Sequence, residues 1–169
     1  MPTLHTPRLD LYVYSHALMQ ATLIAPSRVG EQLDLNAASD WPNPSFAEVL
    51  PRIAAPLLQH PSLAQLQRLI IRRDTATIIG EIGFKYLPIR GETEVGYGIC
   101  ASARSHGFAT EALRAMCDFA VAQGIVMLHA DCLWDNHASA AVLAKAGFRE
   151  WQGTPVLRCW KRALIATGG

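Results

Sequence analysis

Glu94-Val95-Gly96-Tyr97-Gly98-Ile99 and then, across Cys100-Ala101-Ser102-Ala103, the run Arg104-Ser105-His106-Gly107-Phe108-Ala109-Thr110 decide how this chain is read. The first segment has the alternation of a strand, and its two-residue period puts Glu94, Gly96 and Gly98 on one face. That leaves a strip without side chains beside one carboxylate, wide enough for a narrow arm. The second segment opens a helix: Phe108, Ala109, Ala112, Leu113, Met116, Phe119 and Ala120 form one apolar stripe, and Gly124 ends it. A helix start offers unpaired N–H groups and the positive end of its dipole, so it can hold a phosphate largely by backbone. Gly107 lets the backbone approach an anion, Ala109 keeps the first turn thin, and Arg104 can add a charge-assisted bond. His106 would contribute charge only as pH allows. Taken alone, these residues fit a ligand-free loop-to-helix junction equally well.

Outward from this centre the chain reads as alternating elements. Leu9, Leu11 and Val13 alternate with Asp10, Tyr12 and Tyr14, which predicts a strand over Arg8 to Tyr14. Ser15 can cap a helix towards Ala25, and Ser45 one towards His60. Gln67 to Arg73 and Thr77 to Leu87 read as strands joined by a turn at Asp74-Thr75-Ala76, with Pro88 to Gly91 punctuating before the Glu94 strand. Ile125 to Leu133 reads as a buried strand, His137 to Ala146 as a helix closed by Gly147, and Phe148 to Trp151 with Val156 to Arg162 as a hairpin.

Three segments in this order carry a family likeness: the Glu94 strand, the R-x-x-G-x-A loop with Thr110-Glu111-Ala112-Leu113, and Asn136-His137-Ala138-Ser139 running on to Val142-Leu143-Ala144-Lys145-Ala146-Gly147-Phe148. Together they resemble the GNAT superfamily of acyl-CoA N-acyltransferases, in its RimJ/RimL-like branch. Thr6-Pro7-Arg8-Leu9-Asp10-Leu11 resembles that branch's first strand, so the likeness spans most of the chain except Pro26 to Leu66. The resemblance implies an α/β (α+β) fold, a mixed, mostly antiparallel central sheet flanked by helices, in one domain over residues 1–169. It implies acetyl-CoA as co-substrate, with Arg104, Ser105, His106, Gly107, Phe108, Ala109 and Thr110 around the pyrophosphate. Backbone near Ile99, Cys100 and Ala101 would meet pantetheine where the strand splays from its neighbour, and Asn136 would contact the same arm.

The implied chemistry is direct attack by a primary amine on the thioester in a ternary complex, the amine being a protein N-terminus or a small molecule. Such a reaction needs a neutral nucleophile, a donor for the oxyanion and a proton for the thiolate. Glu94 is the candidate base, because a partly desolvated carboxylate gains basicity; pairing with Arg90 or Lys85 is the competing reading. Glu81, between Gly80 and Gly83, is a weaker candidate. Ser139 matches the family serine near the coenzyme sulfur, although a thiolate of pKa ~8.5 hardly demands a donor. Helix capping alone would also account for Asn136. Trp41 lies where the family varies to suit its acceptor. The reading from another class is a non-catalytic acyl-CoA-binding module, which a surface-facing Glu94 with no replacement would favour.

Half of the 169 residues are hydrophobic and 17% are charged, enough for a real core. A formal charge of +1 with scattered arginines argues against nucleic acid and says almost nothing about substrate, while a polycation pocket would carry more acid than Glu31, Asp34 and Asp40 supply. Cys100, Cys117, Cys132 and Cys159 form no C-x-x-C pair, so disulfides and a metal site are not expected. No apolar run approaches a membrane span, and Met1-Pro2-Thr3-Leu4-His5 has no signal-like pattern, so a cytoplasmic monomer or homodimer is expected.

Overall fold

The computed structural model describes residues 3–164, so Met1 and Pro2 lie outside the described residues. Among the described residues the strands are β1 (Leu4–His5), β2 (Leu9–Val13), β3 (Asn36–Ala37), β4 (Gln67–Arg72), β5 (Thr77–Phe84), β6 (Glu92–Ile99), β7 (Met127–Leu133), β8 (Arg149–Gly153) and β9 (Leu157–Ala163). They form one sheet in the order β1-β2-β4-β5-β6-β7-β9-β8, with β3 pairing separately with β5. All neighbours are antiparallel except β3 with β5 and β6 with β7. The mixed, mostly antiparallel sheet expected from sequence is therefore present.

Helices α1 (His16–Ile24), α2 (Ser27–Leu33), α3 (Pro44–Ala54), α4 (Phe108–Ala122) and α5 (His137–Lys145) flank it. Ser15 caps α1 through the Leu18 N–H, as its sequence position predicts. The cap of α3 is Asn43 and not Ser45: Asn43 accepts the Ser45 N–H at 3.0 Å, and Pro44 fills the first helical position, where a missing N–H is harmless. Nor does this helix reach His60. It passes at Ala55 into a 3-10 turn (Ala55–Leu58) that carries Pro56 at its start. The expected helical pair is a trio, since α2 intervenes and ends at Asp34 in the left-handed region.

Two apolar layers hold these elements. On one face α4 and α5 set Phe108, Leu113, Met116 and Leu143 against Leu9, Leu11, Ile82 and Val95. On the other, α1 and α3 set Met19 and Leu50 against Leu69, Ile71 and Ile78. A bulge at Ile79, opposite the step from Ile70 to Ile71, reverses which face each β5 residue presents. Ile78 thus belongs to the α1/α3 layer, whereas Ile79, Ile82 and Phe84 join α4, and Glu81 turns towards α3.

The second feature that positions the site is the short β6–β7 ladder, which runs only from Glu92 opposite Met127 to Glu94 opposite His129. On its other side β6 stays paired with β5 from Val95 to Ile99. The last five residues of β6 thus present backbone groups to an opening beside β7. No helix among the described residues is long and apolar enough to cross a membrane.

Candidate active site

Gly107 precedes α4 at φ +78° with no side-chain cap, and Ser105 is also left-handed at φ +65°. The first-turn N–H groups of α4 therefore have no side-chain acceptor, and alternating backbone handedness turns successive amides towards one side. Arg104 bends back so that its Nε donates to the Ile99 carbonyl at 3.1 Å, which ties the loop to the end of β6. His106 Nδ1 lies 2.6 Å from the Arg104 carbonyl and so carries the proton there, and its ring stacks on Phe108. Ala109 and Thr110 continue the first turn, Thr110 buried and Ala109 half-buried.

The loop is braced from the far end of the sequence. Arg8 donates to the His106 carbonyl at 2.9 Å and lies over the Phe108 ring, 4.7 Å from its centroid. Its Nε and backbone N–H also bond to Glu111, which accepts from the Thr6 hydroxyl as well. Burial opposes charge on Glu111, yet these bonds outweigh it and hold the carboxyl below its ordinary range. An anionic residue in the first turn also suits the helix dipole. The Thr6-Pro7-Arg8 segment, read from sequence only as the start of a strand, thus also fixes the loop.

At the end of β6, Cys100 donates its N–H to the Ile79 carbonyl at 2.9 Å, so that amide is committed to β5. Its thiol is buried and pushed up to about 12 by that burial. Ala101, itself exposed, begins a 3-10 turn (Ala101–Ala103), and Ser102 in that turn bonds twice to Asp40. Across the opening, Tyr97 places its hydroxyl 2.8 Å from Ser139 Oγ and 3.3 Å from the Ser139 carbonyl. Burial pushes the Tyr97 phenol up to about 12. Asn136 caps α5, its Oδ1 accepting the Ser139 N–H at 3.0 Å. The sequence had singled out Ser139 but not its partner Tyr97.

Glu94, Gly96 and Gly98 do share a face, but the strip is not open. A Cβ on Gly96 would meet Lys85 Cε at 3.3 Å, and one on Gly98 would meet Glu81 Oε1 at 2.6 Å. The antiparallel register causes this, because it sets Glu81 opposite Gly98 and brings Lys85 beside Glu94. Lys85 Nζ donates to Glu94 and reaches both oxygens of Asp131 at 3.2 Å. Burial, helped by Asp131, raises the Glu94 carboxyl although Lys85 pulls it down. Lys85 itself stays above its ordinary value, because the two carboxylates overcome its burial.

Glu81 is placed differently. Only 2% of it is exposed, the Trp41 indole N–H donates to Oε2 at 3.1 Å, and Oε1 is buried with no hydrogen-bond partner among the described residues. Desolvation raises its carboxyl to about 8, against the smaller downward pull of Trp41. It lies at the wall of a cavity of about 740 Å³ between α3 and the sheet, where Tyr97 and Gly98 also contribute. The sequence signal for this site is a lone acid inside the apolar run Ile78-Ile79-Gly80-Glu81-Ile82-Gly83-Phe84.

The start of α4 carries no side-chain cap, β6 is unpaired with β7 beyond Glu94, and the Tyr97 and Ser139 hydroxyls meet across that opening. The family model for the acetyltransferase (GNAT) domain matches residues 13–149. The chain belongs to the GNAT family. It is 28% identical over 151 residues to the uncharacterized N-acetyltransferase YjdG of Bacillus subtilis (strain 168), covering 88% of this chain and 90% of that protein. Its fold matches that of the ribosomal L7/L12 alpha-N-protein acetyltransferase RimL, solved in complex with coenzyme A. There the TM-score is 0.66 at 20% identity, over 96% of this chain and 98% of that one. It also matches the microcin C7 self-immunity acetyltransferase MccE, solved with acetyl-CoA and AMP, at TM-score 0.64 and 15% identity, over 94% and 93% of the two chains. This GNAT chain is thus an N-acetyltransferase.

Proposed function

We propose that this GNAT chain, as one catalytic domain over residues 1–169, transfers the acetyl group of acetyl-CoA directly to a primary amine, carried by a small molecule or a protein N-terminus. The observation that carries the reading is the uncapped start of α4 opening onto the unpaired edge of β6. That arrangement fits a pyrophosphate followed by an extended amide-bearing arm. RimL and MccE were solved with coenzyme A and acetyl-CoA, which supports the same use here.

In this reading the amides from Ser105 to Thr110 bind the pyrophosphate, with Arg104 at the rim. The β6 edge up to Ile99, with Ala101 beyond it and the Asn136 amide opposite, orients the arm. Cys100 contributes its buried thiol as packing, since burial keeps it protonated. Coenzyme A bound there supplies an activated acetyl group. Tyr97 and Ser139 together can deliver a proton to the departing sulfur. Glu94, held by Lys85, is the acid at the base of β6 that can shape the field around the acceptor. The non-catalytic alternative called for a surface-facing Glu94 with no replacement, and the unbonded oxygen of Glu81 argues for the enzyme.

Acetyl-CoA titration by calorimetry tests this directly. Wild type is expected to bind in the micromolar range, while Gly107→Trp, which sets a ring over the amides, weakens binding by about 30-fold or more. Arg8→Ala, which unbraces the loop without touching the acceptor side, is expected to weaken it by roughly tenfold. Failure of wild type to bind acetyl-CoA would end the acetyl-transfer reading.

A further inference from the structure

We propose that Glu81 is the catalytic base for the acceptor amine, and that the cavity beside it receives a small primary amine carried on an apolar body. The inference deepens the acetyl-transfer reading and rests on it. Its ground is geometric. Glu81 stands directly opposite Gly98 in the β5–β6 register, and its Oε1 fills the space that a Gly98 side chain would take. The carboxylate therefore lies against the part of β6 that has left β7, where the reacting ends of both substrates must meet. Trp41 holds Oε2, so the rotamer is fixed and Oε1 alone is left to take a proton.

Glu94 cannot offer the same. Lys85 occupies it and Asp131 stands beside it, so a proton taken there would have to displace an ion pair. The charged and titratable groups around Glu81 are few. Tyr14 of the α1/α3 layer and the Cys100 thiol lie near it, both held protonated by burial. Around the cavity stand Arg52 from α3, Lys85 and Tyr86 beyond β5, and Tyr97 from β6. Among the described residues no second carboxylate lines the cavity, so a polycation would find one anion and two cations there. Phe46, Ile53, Leu57, Leu63 and Phe84 supply apolar walls, and about 740 Å³ lies within the range of small-ligand sites.

Glu81 takes a proton from the ammonium form of the acceptor, leaving a neutral amine whose nitrogen bonds to the acetyl carbon as the carbon–sulfur bond breaks. The nitrogen loses a second proton, which reaches the sulfur through Tyr97 and Ser139, and Glu81 later releases its own proton to water. A carboxyl near 8 is only about two units below a typical primary ammonium, so the first transfer is within reach.

The test uses 2-phenylethylamine as probe. Calorimetry on protein without acetyl-CoA should show the amine binding about tenfold or more tightly at pH 8.5 than at pH 6.5 in wild type, and with no such rise in Glu81→Gln. With acetyl-CoA, kcat/KM should climb through a limb near pH 8, and Glu81→Gln should lose that limb and about 100-fold in rate. Trp41→Phe removes the donor that lowers Glu81, so the limb should move upward, which keeps the idea testable if Glu81→Gln misfolds. Acetyl-CoA binding within about threefold of wild type in Glu81→Gln separates loss of the base from loss of the coenzyme site. A limb that survives in Glu81→Gln and vanishes in Glu94→Gln would overturn the assignment. Acetylation of a seryl or alanyl tetrapeptide far ahead of 2-phenylethylamine would overturn the acceptor class while leaving acetyl transfer intact.

Discussion

Gly80→Ala is expected to destabilise the protein by about 3 kcal/mol or more, enough to leave little folded material at 37 °C. A Cβ at this position would sit 2.1 Å from the Gly98 carbonyl oxygen and 3.1 Å from both the Gly98 carbonyl carbon and Ile99 Cα. These are backbone atoms of a central strand, so no side chain can swing aside. Relief would require β5 and β6 to separate at their Gly80–Ile99 pair, next to the bulge that turns Glu81 towards α3. Gly124→Ala is the useful contrast. Nothing lies within 4 Å of its Cβ position, and only its φ of +74° resists, a penalty of roughly 1–2 kcal/mol. Urea denaturation of the two variants at one pH gives the comparison. Equal losses would mean that β5 and β6 do not approach so closely, and the Glu81–Gly98 juxtaposition would go with that approach.

This close approach also explains what could and could not be read from sequence. Elements whose signal is local were legible: the apolar stripe of α4, the alternation of β2, and the Ser15 cap all depend on neighbours within a turn or two. The missed α2 spans seven residues without a side-chain cap, and β1 and β3 have two residues each, too few to show a period. Asn43 and not Ser45 is the cap because Pro44 fills the first helical position, which shifts the helix start one residue ahead of Ser45.

The site fared differently because its decisive contacts are distant in sequence. Thr6 and Glu111 are 105 residues apart and Trp41 and Glu81 are 40 apart, so neither pairing leaves a local trace. The two-residue period puts Gly96 and Gly98 on one face, but only the register shows that Lys85 and Glu81 lie across it. A carboxylate in the middle of an otherwise apolar strand carries a burial penalty that must be offset by function or by a partner. Glu81 has one indole partner for two oxygens, which is why its position says more than that of the ion-paired Glu94.

That burial penalty also ties the stability of the protein to pH. A carboxyl raised from its ordinary 4.5 to about 8 in the folded protein holds a proton that the unfolded chain has already released across that window. Stability should therefore be full below about pH 4.5 as far as Glu81 is concerned, and fall as pH rises through 8. The ceiling is about 5 kcal/mol, from 1.36 kcal/mol for each unit between those values, and roughly 2–4 kcal/mol is expected once the site relaxes. Asp40 and Glu111, held low, act in the opposite sense but below this window, and the buried Cys100 thiol acts above it. Glu94 shares the sign of Glu81, so a single curve cannot separate them. The difference between wild type and Glu81→Gln can. Glutamine keeps an acceptor for Trp41 and cannot ionise, so the two proteins should be nearly matched at pH 5 and the variant should be the more stable at pH 8.5. Parallel stability curves from pH 5 to 8.5 would show that Glu81 ionises as freely as an exposed acid, and the case for it as base would fail with them. A variant that gains stability above pH 8 while losing acetyl transfer would mark Glu81 as a residue kept at a structural disadvantage for its chemistry.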